Sequence, residues 1–168
     1  MVQENFKELF FDELREIFNA EKQIVNALPS LISAADSSDL VDAFKTHLGE
    51  SEKQVDRLNQ IFRILNIEAS EVPCAAMEGL IKECNDTVSK FSRSELRDAA
   101  LITKAQRVEH YEMAVYGALR TFANHLDLSE VSDLLQESLN EEGNANKTLT
   151  KIAEGNLLFA GINQKAML

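Results

Sequence analysis

Apolar residues recur at intervals of three and four along four long stretches of this chain, the spacing that places them on one face of an α-helix. The pattern predicts four long helical segments: A over residues 5–35, B over 39–66, C over 92–125 and D over 129–155. A shorter helix is predicted to start at Pro73 and to run to about Val88. Period-two runs and Asn-Gly or Asp-Gly hairpin signals are absent from the sequence. We therefore predict an all-α protein, a four-helix bundle with a short extra helix between its two helix pairs.

Local signals set the expected ends of these segments. Pro29 should kink segment A late or break its last turn. Ser37 or Ser38 is expected to cap segment B. The stretch Ser-Arg-Ser-Glu at 92–95 has the spacing of a capping box and should open segment C. Gly155 is expected to end segment D.

One charged residue interrupts the apolar seam of segment A and one that of segment C. Both seams advance in steps of 4, 3, 4, 3, 4, 3 and 4 residues, the period of a helical bundle. They run Phe10, Leu14, Ile17, Glu21, Ile24, Leu28, Leu31, Ala35, and Leu101, Ala105, Val108, Glu112, Val115, Leu119, Phe122, Leu126. Glu21 and Glu112 occupy the same step, 112 − 21 = 91 residues apart. Segments A and C are therefore predicted to be equivalent members of two helix pairs.

The same offset relates segment B to segment D and pairs Glu50 with Glu141. Glu50 borders the predicted seam of B, with His47 and Gln54 on the same side of the helix. That seam reads Val41, Phe44, Leu48, Ser51, Val55, Leu58, Phe62, Leu65. In segment D, Glu142 lies in the seam and Glu141 beside it. The sequence leaves open which of these two faces inward, and the match to Glu50 slightly favours Glu141.

Carboxylates in a bundle seam predict a metal site. A buried charged glutamate costs several kcal/mol unless it is paired or bound to a metal. Each of the four segments carries a carboxylate near its midpoint, and no basic residue is expected to face inward at those levels. Two cations in the bundle centre would neutralise all four, as in carboxylate-bridged dimetal proteins. Oxygen-rich ligation with some imidazole suits iron or manganese, and zinc is also compatible.

Three residues near this level have more than one interpretation. Glu109, one turn before Glu112, is either part of the metal site or a solvated flank of the seam. His47 either supplies imidazole to the metal or is a core-edge histidine bonded to a carboxylate. His110 points roughly opposite to Glu112 on the helical wheel and is expected at the surface.

Composition and charge limit the possible functions. The chain has 168 residues, 28 acidic and 17 basic, and a net charge of −11, which argues against nucleic acid and anionic membranes as primary partners. Its length fits one domain over 1–168, with the bundle core at about 5–155 and a weakly patterned tail at 156–168. Cys74 and Cys84 form neither a disulfide framework nor a zinc pattern. With no leader and no apolar run of ~18 residues, we expect a soluble cytoplasmic protein with reduced thiols.

Several motifs together resemble the YciE/YciF family of ferritin-like proteins, and its YciF branch in particular. They are AEKQ (20–23), HLGES (47–51) with Gln54, CAAMEGL (74–80), RDAALI (97–102), VEHYEMAVYGAL (108–119) and LNEE (139–142). The resemblance covers the chain from about Phe10 to Ala153. It implies a ferritin-like bundle, a dimetal centre, a homodimer and a link to bacterial stress responses, with no established reaction. The metal-site residues it implies are Glu21, Glu50, Glu109, Glu112, and Glu141 or Glu142.

The chain departs from the ferritin-like pattern in its ligand motifs. Glu-x-x-His pairs are missing, because the residues three positions after the candidate glutamates of segments B and D are Lys53, Asn144 and Ala145. Gly49 and Gly143 stand in mid-helix beside the candidate ligands, where glycine costs up to ~1 kcal/mol relative to alanine. Glycine there permits close helix approach or a local distortion, or marks a weakened site. Tyr111 and Tyr116, which flank Glu112, are either redox-active neighbours of a dimetal centre or ordinary residues of the bundle surface, and the second interpretation is favoured.

These observations support two functional hypotheses. The first is a ferritin-like stress-response protein that binds a dinuclear iron or manganese centre and reacts with dioxygen or peroxide. The alternative is a non-catalytic structural or protein-interaction module whose metal site is degenerate or only braces the fold. Iron storage is a third option, and it requires a large closed shell.

Overall fold

The computed structural model describes residues 2–155 and 159–167. They form six helices: α1 (Val2–Ala34), α2 (Ser38–Leu65), α3 (Ala75–Lys90), α4 (Glu95–His125), α5 (Ser129–Glu154) and α6 (Ile162–Lys165). Extended pairing in this part of the chain is limited to one isolated bridge between Gly155 and Ala160. The predicted all-α class is confirmed, and α1, α2, α4 and α5 correspond to segments A to D.

The four long helices pack as a closed ring. Helix α1 lies against α2 and α4 lies against α5, while α2 meets α5 and α1 meets α4. The short helix α3 packs on α1 and α4 and buries Cys74, Met77 and Cys84. Helix α6 packs against α4 and α5. The predicted four-helix bundle is confirmed, with α3 lying across its α1–α4 side and the short α6 against its α4–α5 side.

The predicted seam of segment A is buried at every position, including Glu21. The seam of segment C is buried as far as Glu112 and then rotates. Tyr116 takes the core position next to Glu112, and Val115 is only partly buried. The rotation has a physical reason, because tyrosine brings a hydroxyl donor to the buried carboxylates that valine lacks. The expectation that Tyr116 lies on the bundle surface is therefore wrong.

The seam of α2 is also displaced at its centre. His47 and Gln54 are buried, whereas the predicted seam residues Leu48 and Val55 are only partly buried. The displacement turns the polar edge of α2 toward the bundle axis, where the carboxylates of the other helices lie. Away from this level, Phe44, Leu58 and Phe62 of the predicted α2 seam are buried. The outer faces are charged, and no helix among the described residues has an apolar window long enough to cross a bilayer.

The first helix ends at Ala34, one residue before its predicted end, and Pro29 lies inside it. One predicted helix start needs correction, because the capping box at 92–95 is not formed. Ser94 caps α4 and accepts a 3.4 Å hydrogen bond from the backbone N–H of Arg97, so Ser92 lies outside the helix. The predicted end of α5 at Gly155 is confirmed, and its φ of 73° is one that glycine adopts without strain.

A carboxylate from α4 caps the start of α2. Ser37 is the N-cap residue, but its side chain makes no capping hydrogen bond. Instead the buried Asp98 accepts bonds from the backbone N–H of Asp36 at 2.9 Å and of Ser37 at 2.7 Å. The α1–α2 connection is thereby tied to α4 across the bundle, which fixes the relative height of the helices that carry the central carboxylates.

Candidate metal centre

Five ionisable side chains converge in the middle of the bundle. The long helices supply Glu21 from α1, His47 from α2, Glu109 and Glu112 from α4, and Glu142 from α5. Their exposed fractions are between 0% and 5%. Charged side chains are almost never buried to this degree unless they are paired or bound to a metal.

His47 lies among three of these carboxylates. Its Nε2 is 3.7 Å from Oε1 of Glu109 and 3.9 Å from Oε2 of Glu112, and its Nδ1 is 4.0 Å from Oε2 of Glu142. One donor atom from each of the four residues lies within 4.8 Å of the others. The distances exceed those of hydrogen bonds. The four groups therefore surround a common point without bonding to one another through the imidazole.

Many polar atoms of this cluster have no hydrogen-bond partner among the described residues. They are Oε2 of Glu21, both ring nitrogens of His47, Oε2 of Glu109, both carboxyl oxygens of Glu112 and Oε2 of Glu142. Buried polar groups are almost always paired, and each unpaired one costs about 1–3 kcal/mol. A cation site requires unpaired oxygen and nitrogen atoms that converge on one point and can bind the ion.

Burial and mutual repulsion shift the pKa of these groups toward their neutral forms. Burial, and next the charge of Glu142, raises the pKa of Glu21 to about 8, against a smaller opposing effect of its hydrogen bond from Tyr116. The same two causes raise the pKa of Glu109 and of Glu112 well above the usual 4.5. Burial lowers the pKa of His47. The imidazole is thus kept neutral, the form that ligates metals.

The donor set fits a divalent metal. It offers carboxylates from three helices and one neutral imidazole, the ligand chemistry of iron, manganese and, less selectively, zinc. Cations here would remove the repulsion among the carboxylates and would satisfy the unpaired atoms in one step. A lysine or arginine would serve the same purpose, but the buried cationic groups of the described chain include none within this cluster.

Polar residues around the cluster hold two of its carboxylates in place. The hydroxyl of Tyr116 donates a 2.6 Å hydrogen bond to Oε1 of Glu21. The side-chain amide of Gln54 donates to Oε1 of Glu142 and, at 3.0 Å, to Oε2 of Glu141. Tyr116 and Gln54 are both fully buried. Such outer partners orient metal ligands and tune their basicity.

Glu142, rather than Glu141, faces the bundle axis, so the slight preference for Glu141 was wrong. Glu142 is fully buried. Glu141 turns toward α2, where Arg57 binds it through two hydrogen bonds of 2.9 and 3.0 Å. The physical reason is that Glu142 lies on the apolar face of α5, whereas Glu141 lies beside it, next to the guanidinium of Arg57.

The structure also places the other candidate residues of the sequence analysis. Glu50 is half-buried and lies outside the four-residue group around His47. Glu109 is 2% exposed, so it is not a solvated flank of the seam. His110 is exposed and bonds to the carbonyl of Gln106, as expected of a surface residue. His47 is buried and makes no hydrogen bond to a carboxylate among the described residues, so its placement favours the interpretation as a metal ligand.

The glycines beside the cluster do not mediate close helix contacts. A Cβ atom added to Gly49 would meet no atom within 4 Å. One added to Gly143 would meet only the sulfur of Met113, at 4.0 Å. Helix–helix packing therefore gives no reason for glycine at either position.

Sequence reasoning missed the roles of Tyr116 and Gln54. Gln54 had a signal, because it lies one turn after Glu50 on the polar side of α2. The 91-residue offset carries a further signal, because it matches Ser51 of α2 with Glu142 of α5. Ser51 is buried with its hydroxyl unpartnered, so the two helix pairs contribute unequally to the same level of the core.

Known proteins match this sequence along almost the entire chain. The family model described as a domain of unknown function, DUF892, matches residues 5–167. Protein YciF of Escherichia coli K12 is 38% identical over 167 residues, which cover 99% of this chain and 98% of YciF.

Solved structures give the same result. YcfI from Rhodopseudomonas palustris, described as a candidate structural protein, has a TM-score of 0.86 and 40% identity, covering 88% of this chain and 94% of its own. The Escherichia coli stress protein YciF has a TM-score of 0.84 and 39% identity, covering 87% and 92%. A protein from Xanthomonas campestris is 16% identical with a TM-score of 0.75, covering 97% and 99%, and shares the fold alone.

Proposed function

This chain belongs to the DUF892 family together with YciF, and on that premise we propose that it is a ferritin-like stress-response protein that binds a dinuclear iron or manganese centre. The observation that carries the proposal is the group of unpaired carboxylate and imidazole atoms around His47. A fold that only needed a packed core would bury apolar residues at these positions.

The proposed ligands come from all four long helices. Glu112 and Glu142 are fully buried, and both carboxyl oxygens of Glu112 and Oε2 of Glu142 would be available to ions at the centre. Glu109 and His47 complete one side, and Glu21 the side near Tyr116. Zinc would also be accepted by this donor set, so the choice of metal depends on supply as well as affinity.

The surrounding residues orient two of the proposed ligands. Gln54 donates a hydrogen bond to Oε1 of Glu142 and leaves Oε2 of that carboxylate free. Tyr116 does the same for Glu21, where it occupies Oε1 and leaves Oε2 free. A bound pair of iron or manganese ions would supply electron transfer to dioxygen or peroxide. The apolar core above and below this level would exclude bulk water.

Metal reconstitution tests the proposal. Protein freed of metal with a chelator is incubated without oxygen with Fe(II), Mn(II) or Zn(II), desalted and analysed by mass spectrometry for metals. Wild type should retain about two ions per chain, the number that such carboxylate bundles hold. Glu112→Gln should retain less than half of that amount, and the exposed Glu130→Gln is the matched control. Equal and negligible metal in wild type and Glu112→Gln would refute the proposal.

A non-catalytic structural module is the second candidate, and one observation favours it. At the positions of α2 that match Glu142 and Ala145 of α5, the chain has Ser51 and Gln54, so neither helix carries a Glu-x-x-His pair. A metal bound only for stability would raise the melting temperature without supporting turnover. Oxygen-electrode and peroxide-consumption assays on metal-loaded protein distinguish the two. Turnover that Glu112→Gln abolishes with the fold intact excludes the structural candidate.

A further inference from the structure

The open side of the bundle contains a cavity that reaches the carboxylate cluster. Its volume is about 450 Å³, and it lies between α2 and α5, opposite the side that α3 covers. Ala43 on α2 and Ala145 on α5 both line it. Their short side chains leave space where the two helices face each other, and larger residues at these positions would fill it.

The cavity ends at two polar groups that have no partner. His47 and Glu109 line it, and they are 5% and 2% exposed. Both ring nitrogens of His47 and Oε2 of Glu109 lack hydrogen bonds among the described residues. The bottom of the cavity is therefore the edge of the candidate metal centre.

Carboxylates are graded by exposure along the cavity wall. Asp39 and Asp42 are exposed, Glu50 is half-buried, and Glu109 at the bottom is buried. Lys45 contacts Asp42 at 3.4 Å, but both side chains are more than half exposed, so this ion pair is weak. Negative charge that converges on a cleft raises the local concentration of cations and their rate of association.

We propose that this cavity is the path by which divalent cations reach the centre, with Glu50 as a transient ligand between the mouth and His47. The inference rests on the proposed metal site. It makes Glu50 a ligand on the entry path, whereas Glu112 is a resident ligand of the site. A resident ligand lowers the free energy of the bound state, so its loss accelerates release of the metal. A ligand on the path lowers the barrier in both directions, so its loss slows entry and release together.

Rates of cobalt exchange separate these roles. Co(II) binding is followed by stopped-flow absorption, and release is followed after an excess of chelator is added. Glu50→Gln should slow both processes by at least about fivefold, because losing the ligand between the mouth and His47 raises the barrier to passage by about 1 kcal/mol in both directions. Asp56→Asn, which removes an exposed charge of α2 outside the cavity, is the control. Faster release from Glu50→Gln, or entry and release rates equal to those of wild type, would overturn the proposal.

Chemical modification of His47 tests the path without metal. Diethyl pyrocarbonate should acylate His47 in the metal-free protein, with the exposed His110 and His125 as internal references in the peptide mass spectra. Ala43→Leu and Ala145→Leu should each protect His47 at least about fivefold and leave the reference histidines unchanged. Circular dichroism verifies that each variant is folded.

The two experiments distinguish failure of the path from failure of the metal site. Equal acylation of His47 in wild type and in both filled variants overturns the path, whatever the metal content. Acylation that depends on the cavity, with no Co(II) bound by wild type at equilibrium, overturns both the metal site and its role in cation entry. Protection by the leucine variants together with slower exchange in Glu50→Gln supports the proposal.

Discussion

The hydroxyl of Tyr116 lies 2.6 Å from Oε1 of Glu21, so a hydrogen bond joins α4 to α1 inside the bundle core. Both side chains are fully buried. The contact connects Glu21, a candidate ligand, to Tyr116, whose aromatic ring packs in the core. It therefore serves the fold and the site together.

Replacing Tyr116 by phenylalanine should destabilise the metal-free protein by about 1–3 kcal/mol, since Glu21 then has two unsatisfied oxygens. Urea unfolding in the presence of chelator measures the change. Tyr111→Phe is the matched control on the same helix. Its hydroxyl lies 3.0 Å from the sulfur of Cys74, a weak hydrogen-bond partner, so we expect a loss below about 1 kcal/mol. Equal losses in the two variants would contradict the importance of the Tyr116–Glu21 bond.

Metal-free protein should lose stability as the pH rises from 6.5 to 8. The pKa of Glu21 is about 8 in the folded chain and near 4.5 in the unfolded chain, so the folded state holds the extra proton in this range. Each such carboxyl lowers the free energy of unfolding by about 1.4 kcal/mol per pH unit, and Glu109 and Glu112 act in the same direction. His47, whose pKa is lowered, has the opposite effect only below 6.5.

Urea titrations at several pH values with and without metal measure this dependence. The slope should become smaller in Glu21→Gln and should be unchanged in Glu130→Gln, an exposed glutamate of α5. Bound metal replaces the protons, so the loaded protein should not lose stability over the same range. Metal-free wild-type stability that rises between pH 6.5 and 8 would contradict the prediction.

Two buried carboxylates should respond in opposite ways to amidation. Glu112→Gln should stabilise metal-free protein at pH 8 by about 1–3 kcal/mol, because the unfolded chain no longer has to take up a proton on folding. Asp98→Asn should destabilise it by about 1–3 kcal/mol, because Asp98 accepts backbone hydrogen bonds from Asp36 and Ser37. Thermal unfolding in chelator measures both changes. Destabilisation of the same size in both variants would mean that Glu112 has a partner in the metal-free protein.

Glu141 and Glu142 should differ in their effect on metal content. Glu142→Gln should remove most of the bound metal, because it neutralises a fully buried member of the cluster. Glu141→Gln should retain the metal and cost about 1 kcal/mol of stability, because it weakens the ion pair with Arg57. Metal analysis and urea unfolding of the two variants make the comparison. Greater metal loss in Glu141→Gln would identify Glu141 as the ligand of α5.

Alanine at the two glycines beside the cluster should stabilise the fold. Gly49→Ala and Gly143→Ala should each add about 0.5–1 kcal/mol, the difference in helix propensity, because the new Cβ meets no close atom. Thermal unfolding measures the gain, and metal analysis shows whether the site is affected. A loss of metal in either variant with the fold retained would mean that glycine permits a distortion that the site requires.

Sequence periodicity predicted the bundle and two of its central carboxylates. The steps of three and four residues placed Glu21 and Glu112 at one level, because a heptad seam that is apolar at seven positions defines the eighth. Periodicity could not decide between Glu141 and Glu142, which are adjacent on the helix. That choice depends on Arg57, which comes from another helix and binds Glu141.

The inward orientation of the polar residues of α2 could not be predicted from the apolar pattern of that helix alone. Leu48 and Val55 fit the apolar period better than His47 and Gln54, and a wheel of α2 alone favours them. The buried carboxylates of α4 and α5 reverse this preference, because polar side chains near them stabilise the core more than further apolar side chains would. The side chain that caps α2 was missed for a similar reason, since Asp98 comes from α4.

The hydrogen bond between Tyr116 and Glu21 also provides an optical label. The chain contains no tryptophan and two tyrosines, so its near-ultraviolet spectrum comes chiefly from Tyr111 and Tyr116. Tyr111 contacts Cys74, whereas Tyr116 is bonded directly to a carboxylate of the cluster. A change in the charge of Glu21 will perturb the phenol of Tyr116 directly. Difference absorption in unmodified protein can therefore report a change in the charge at Glu21, including one caused by an added cation, with Tyr116→Phe as the blank.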